Sequence, residues 1–220
     1  MPHLCLLLSG AALLINGLAM LGYLPRRDAG FFSLAVGSIQ TALALGYPSI
    51  AGTEAAGLLS AAGMMLFGLT YAYVGLDVML DLGSKGLGWF CGMVAFVGLL
   101  LAAAWLRDDP LLAVLWVCWS ILWGLFFASM ALGLTRVDVF TGWALVLTSQ
   151  VTATLPALLG ITGLWPRSPD VAAGAAVLLT GLFLAAGILA RRTQARHGTP
   201  APGGAFQPSH AGISDLQERL

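Results

Sequence analysis

Apolar residues run in long blocks through most of this chain, without the strict alternation of a half-buried strand. Seven blocks stand between charges, prolines and turn residues: Leu4 to Leu24, Phe31 to Ile50, Ala55 to Leu76, Trp89 to Leu106, Leu111 to Leu134, Val139 to Leu164 and Val171 to Ala190. Each is about twenty residues long, the length of helix that crosses about 30 Å of hydrocarbon. An outer-membrane barrel would need shorter segments of alternating polarity. The connections are short, as in Pro25-Arg26-Arg27-Asp28, Arg107-Asp108-Asp109-Pro110 and Arg136-Val137-Asp138. Sequential helices are therefore antiparallel neighbours, and the pattern predicts an all-α integral membrane protein. No stretch is left for a soluble catalytic domain.

Composition agrees: of 220 residues, 59% are hydrophobic and only 9% charged, with a mean hydropathy of +0.89. Ten Lys+Arg balance ten Asp+Glu, so there is no basic excess to hold nucleic acid. The basic residues instead suggest sidedness. With the N-terminus outside and seven spans, Arg26, Arg27, Lys85, Arg136, Arg191, Arg192 and Arg196 fall inside, and Arg107 and Arg167 outside. Lys and Arg collect in cytoplasmic loops, so the expectation is a plasma or inner membrane protein, N-terminus out and C-terminus in. Only His3 precedes the first block as a basic side chain, and Arg26 and Arg27 follow it, which predicts a retained helix and not a cleaved signal. The Gly/Pro/Ser-containing segment 192–220 is predicted as a disordered cytoplasmic tail.

Ionisable groups inside a span usually mark proton relays or ion sites. The blocks contain none, Asp77 and Asp81 being placed at the end of the third helix or in the loop beyond. Proton- or sodium-coupled transport and intramembrane proteolysis are therefore disfavoured, and no enzyme is predicted. Cys5, Cys91 and Cys118 lie in different blocks and read as small packing residues. His3, His197 and His210 are placed outside every span, so neither a metal site nor a cofactor is predicted. The polar groups within the blocks are neutral. Asn16 and the sixth block stand out, the latter with Thr148 and Thr152 on one helical line, Gln150 and Thr154 on a second, and a bend expected at Pro156. A helix this polar is expected to face a cavity. The glycines, among them the Gly88-to-Gly92 GxxxG pair, read as close helix packing.

The fifth block carries Trp116, Trp119 and Trp123. At 100° per residue the three indoles share a face about 60° wide. An interfacial aromatic belt and the lining of an internal passage both account for them, although Trp123 lies near the middle of its block. An uncharged aromatic slot suits a planar, neutral, strongly hydrated solute such as urea or a short amide. Removing the water of such a solute without replacing its hydrogen bonds costs several kcal/mol, and neutral donors and acceptors such as Asn16, Tyr73 and Thr148 could replace them.

Taken together, Leu66-Phe67-Gly68-Leu69-Thr70-Tyr71-Ala72-Tyr73, the three-tryptophan stripe, Phe140-Thr141-Gly142-Trp143 with Pro156 downstream, and Asn16-Gly17 resemble the AmiS/UreI family of urea and short-chain amide channels. The likeness covers residues 1 to about 165. It implies a compact bundle of six core transmembrane helices built as three hairpins, a conduction path in each protomer and a hexameric ring, with 166–191 as an additional seventh helix. By resemblance, Trp119, Leu122, Trp123, Tyr73, Leu69 and Asn16 match the pore and constriction residues, with Trp116 and Leu13 nearby. The family's urea channels carry a glutamate where Thr148 stands. The acid-gated type has long histidine-bearing outer loops, which this chain lacks in its Gly52-Thr53-Glu54 and Arg107-to-Pro110 connections, so acid gating is not expected. The resulting expectation is a passive facilitator for urea or small neutral amides, a lipid-embedded homo-oligomer linked in function to a cytoplasmic amidase or urease. The alternative is a non-transporting sensor or accessory subunit in such a system.

Overall fold

The computed structural model describes residues 1–51 and 54–197. Eight α-helices follow one another: α1 (Pro2–Met20), α2 (Arg26–Ala51), α3 (Ala55–Leu80), α4 (Lys85–Trp105), α5 (Pro110–Phe126), α6 (Asp138–Ser149), α7 (Leu155–Ile161) and α8 (Pro169–His197). A π-helical turn, Phe127–Ala131, prolongs α5, and a second, Gln150–Thr154, joins α6 to α7. Among the described residues these make seven helical stretches long and apolar enough to cross a membrane, the fifth being Pro110–Ala131 and the sixth Thr135–Ile161. The chain is a multi-pass membrane protein of helices.

Local chemistry explains where the helices begin and break. Proline at the first position of α5 lacks an N–H that would have no partner there. Asp109 caps the same helix, accepting from Leu112 N at 3.0 Å. In the sixth span Pro156 cannot donate to the carbonyl one turn back, and the backbone widens into the π-turn just before it. The span therefore bends and does not stop.

Packing is closest between α2 and α3. A Cβ on Gly37 would meet Ala72 N and lie 2.7 Å from Ala72 Cα and Gly68 O. Only glycine lets the two backbones approach this closely, as small residues do between membrane helices. On one side of the bundle α1 packs against α2, α6 and α7, and on the other α4 packs against α5. α8 lies on the outside against α6 and α5. It is held there by Trp143 Nε1 donating to Thr193 Oγ1 at 3.1 Å and by Phe140 against Phe183 at 6.4 Å between ring centres. Ala172, Leu179, Ala186 and Ala190 of α8 are buried, and its opposite face presents apolar residues outward, among them Val177, Leu184 and Ile188.

Three placements differ from the sequence reading. His3 is not outside the spans: it lies in the first turn of α1, where Gly160 of α7 leaves room for its ring. Asp77 stands at the end of the third helix, as expected, but the span runs on past Leu76 to Leu80 and so takes it in, buried in the last turns of α3. It survives there because Ser84 satisfies both carboxylate oxygens, the backbone N donating at 2.8 Å and Oγ at 2.5 Å. Finally, α8 continues through Arg191 and Arg192 to His197, so the predicted tail begins as helix. The remainder of that tail, with His210 and Arg219, and the Gly52-Thr53 turn lie outside the described residues.

Candidate functional site

Two cavities enter the bundle from opposite ends. One, of about 340 Å³, is lined by the first residues of α1, α3 and α5 and by the last of α2 and α4, including His3, Tyr47, Leu59, Trp105 and Asp109. The other, of about 460 Å³, is lined by the far ends of the same helices and by Asp138 and Leu145 of α6, and includes Asn16, Arg26, Asp77 and Ser84. Antiparallel helices place these two residue sets at opposite ends of the bundle. Phe67 and Trp119 line both cavities.

The barrier between the cavities is aromatic. Phe67 of α3 packs on Trp123 at 4.7 Å between ring centres, on Trp119 edge-to-face at 5.0 Å and on Trp116 at 5.9 Å. Trp116 meets Trp119 edge-to-face at 5.2 Å and is nearly parallel to Trp123 at 6.4 Å. These offset and edge-on arrangements are the ones aromatic quadrupoles favour. All four side chains are buried, so the tryptophan face of α5 is an internal feature and not an interfacial belt. The stripe also follows the line between the cavities: Trp116 lines the 340 Å³ cavity, Trp119 both, and Trp123 the 460 Å³ cavity. Gly63 makes this possible, since a Cβ there would lie 2.7 Å from Trp116 Cζ2.

Two hydrogen-bonded groups fix polar atoms beside the barrier. Trp119 Nε1 donates to Thr152 Oγ1 at 3.3 Å, and Thr152 Oγ1 in turn donates to Thr148 O at 2.9 Å. Asn16 Nδ2 donates to Ala12 O and to Ser33 Oγ, both at 2.8 Å, which leaves its side-chain carbonyl as an acceptor. At the far end of the 460 Å³ cavity, Ser129 Oγ donates to Asp138 Oδ1 at 2.5 Å. The carboxylates thus sit at the mouth, and the barrier itself holds no charged side chain.

Of the residues singled out from sequence, Leu13, Asn16, Trp116, Trp119, Leu122 and Trp123 line the cavities. Leu69, Tyr73 and Thr148 line neither. The cavity-facing residues of α3 are Phe67, Thr70, Tyr71, Val74, Asp77 and Val78, a helical face that leaves positions 69 and 73 turned away. Leu69 is exposed on the bundle's outside, and Tyr73 packs toward α4, against Phe90 and Gly86. Thr148 directs its hydroxyl to Ala144 O, one turn back in its own helix, at 2.7 Å. The polar line of the sixth span is therefore internal bonding, not cavity lining. Gln150, on the second line, is exposed. Phe67, Thr70, Tyr71 and Val74 are among the lining residues that the sequence did not single out as pore residues, although they mark one helical face by spacing alone. Among the described residues no group of His, Cys, Asp and Glu is gathered as a metal site would need.

An all-helical membrane bundle with two opposed cavities meeting at an uncharged aromatic barrier has the form of a transporter or channel for small solutes. The match to known proteins is of that kind: residues 1–164 fit the AmiS/UreI family transporter model, and the chain belongs to this family. A Rhodococcus erythropolis protein named as the transporter AmiS2 is 40% identical over 187 residues, covering 84% of this chain and 91% of that one. A Mycolicibacterium smegmatis protein named as a transporter of amidate substrates is 33% identical over 197 residues, covering 88% of this chain and 92% of its own. Among solved structures, the Helicobacter pylori urea channel in its closed state superposes with a TM-score of 0.66 at 23% identity, over 76% of this chain and all of that one. A crystal structure of the same channel gives 0.64. These two establish the shared fold.

Proposed function

We propose that this chain is a passive facilitator for small neutral amides, urea among them, which cross each protomer through the two cavities and past the Phe67 and Trp119 rings. The observation that carries this reading is that cavities from opposite ends of the bundle meet on those two side chains. Four aromatic rings without a charged partner oppose an ion, which would lose its hydration there for several kcal/mol or more. They oppose a flat amide far less, because its faces can lie on rings while its N–H groups turn to acceptors such as Asn16 Oδ1. The names of the relatives, an amidate-substrate transporter and a urea channel, favour the same solute class.

The reading includes an orientation with the N-terminus outside and the 460 Å³ cavity, with Arg26 at its mouth, facing the cytoplasm. It also includes a hexameric ring, from which a cytoplasmic amidase or urease draws its substrate. The deciding experiment is stopped-flow light scattering on proteoliposomes, comparing urea, formamide, acetamide and glycerol. Amide and urea uptake well above that of empty liposomes, with glycerol slow, is the expected result. No acceleration for any of the four overturns the reading and favours a sensor or accessory subunit.

A further inference from the structure

The match to the family ends at Leu164, and the next residue, Trp165, belongs to the connection that leads into α8. Trp165 nevertheless lines the 340 Å³ cavity, as does Arg167. Its indole is tied at both sides. Nε1 donates to Asp109 Oδ2 at 2.8 Å, and Asp109 is itself fixed as the cap of α5 by its other oxygen. The ring meets that of His3, in the first turn of α1, at 5.4 Å between centres. His3 is in turn seated against Gly160, where a Cβ would overlap its ring. The indole therefore fills the gap between the first turns of α1 and α5 and closes one side of the cavity mouth. A side chain held by a charge-assisted hydrogen bond and wedged against a seated ring does not move aside at little cost.

Resting on the facilitator reading, we propose that Trp165 is a specificity-determining wall which sets the largest carboxamide the chain admits. The cavity behind it, at about 340 Å³, is larger than urea or acetamide requires. Trp105, Leu112 and Trp116 give it an apolar interior that suits a primary carboxamide carrying a substituent of a few carbons. The barrier rings alone do not decide how large that substituent can be, because the solute first has to pass the rigid indole at the mouth. This places part of the chain's selectivity in the segment that enters the last helix, outside the first six spans.

The test measures uptake of urea, acetamide, butyramide and isobutyramide by proteoliposomes carrying the wild-type protein, Trp165→Ala or Trp165→Phe. Opening the mouth should raise the rate of the branched and four-carbon amides relative to urea by about tenfold or more in Trp165→Ala, the lower end of the scale at which a pocket discriminates one methylene. Trp165→Phe keeps a ring but loses the bond to Asp109, and should shift the same ratio in the same direction by less. If the wild type conducts urea and acetamide but neither folded variant changes the ratio, the wall assignment is overturned. If Trp165→Ala does not fold, Trp165→Phe decides alone on the same ratio. If the wild type conducts none of the four, the facilitator reading itself has failed, and the wall assignment with it.

Discussion

Phe67 touches all three indoles of α5, at 4.7 to 5.9 Å between ring centres, and both cavities end on it. Replacing it by alanine removes the ring that opposes the stripe and leaves a void between the cavities. A core Phe→Ala change costs about 3–5 kcal/mol where the surroundings cannot collapse, and Trp116, Trp119 and Trp123 are too well packed on one another to fill the space. Phe67→Ala should therefore lower thermal stability and raise glycerol uptake relative to urea by about tenfold or more. Unchanged glycerol-to-urea selectivity in a folded Phe67→Ala protein would remove Phe67 from the barrier. The indole stripe was legible because three tryptophans on one face of a single block, one of them far from either end, point inward together. Phe67 was not, because a phenylalanine among leucines in a membrane span reads equally well as a lipid-facing residue. Thr148 misled for the opposite reason: a threonine inside a span can satisfy itself on its own helix, and its spacing does not reveal that choice.

The α2–α3 hairpin shows what glycine does at the scale of elements. At Gly37 an added Cβ would press on the backbone of Ala72 and Gly68, and backbone cannot yield as a side-chain tip can. Gly37→Ala should push the helices apart at a cost of about 1–3 kcal/mol, the usual penalty of overpacking. At Gly46 of the same helix nothing lies within 4 Å of the added Cβ, so Gly46→Ala should cost nothing and gains helix propensity. Thermal unfolding of the two purified variants in one detergent checks the contrast, and equal melting temperatures would show that the close approach contributes nothing. The hairpins themselves followed from block length and short connections. The two π-turns did not, since Phe127–Ala131 carries no proline, and Pro156 announces a bend without saying which backbone geometry will absorb it.

At the scale of the molecule, an odd number of spans places the two ends of the described chain on opposite sides of the bilayer. Short connections make each span reverse the one before, and the lining residues of the two cavities obey that alternation throughout. Arg26, Arg27, Lys85, Arg136, Arg191 and Arg192 then share one side, while Arg107 and Arg167 share the other. The basic bias favours the first side as cytoplasmic, and α8 is what carries the last two arginines there. A fluorescent-protein fusion at the C-terminus should accordingly fold and fluoresce, and a cysteine introduced in place of exposed Asp108 should react with an impermeant maleimide added to intact cells. A substitution of exposed Asp81 by cysteine should react only after the membrane is opened. The reverse labelling would invert the protein, and would place Trp165 and the 340 Å³ cavity on the cytoplasmic side. The wall would then stand at the cytoplasmic mouth, and since a passive path limits entry and exit alike, this labelling experiment decides on which face of the membrane Trp165 sorts its solutes.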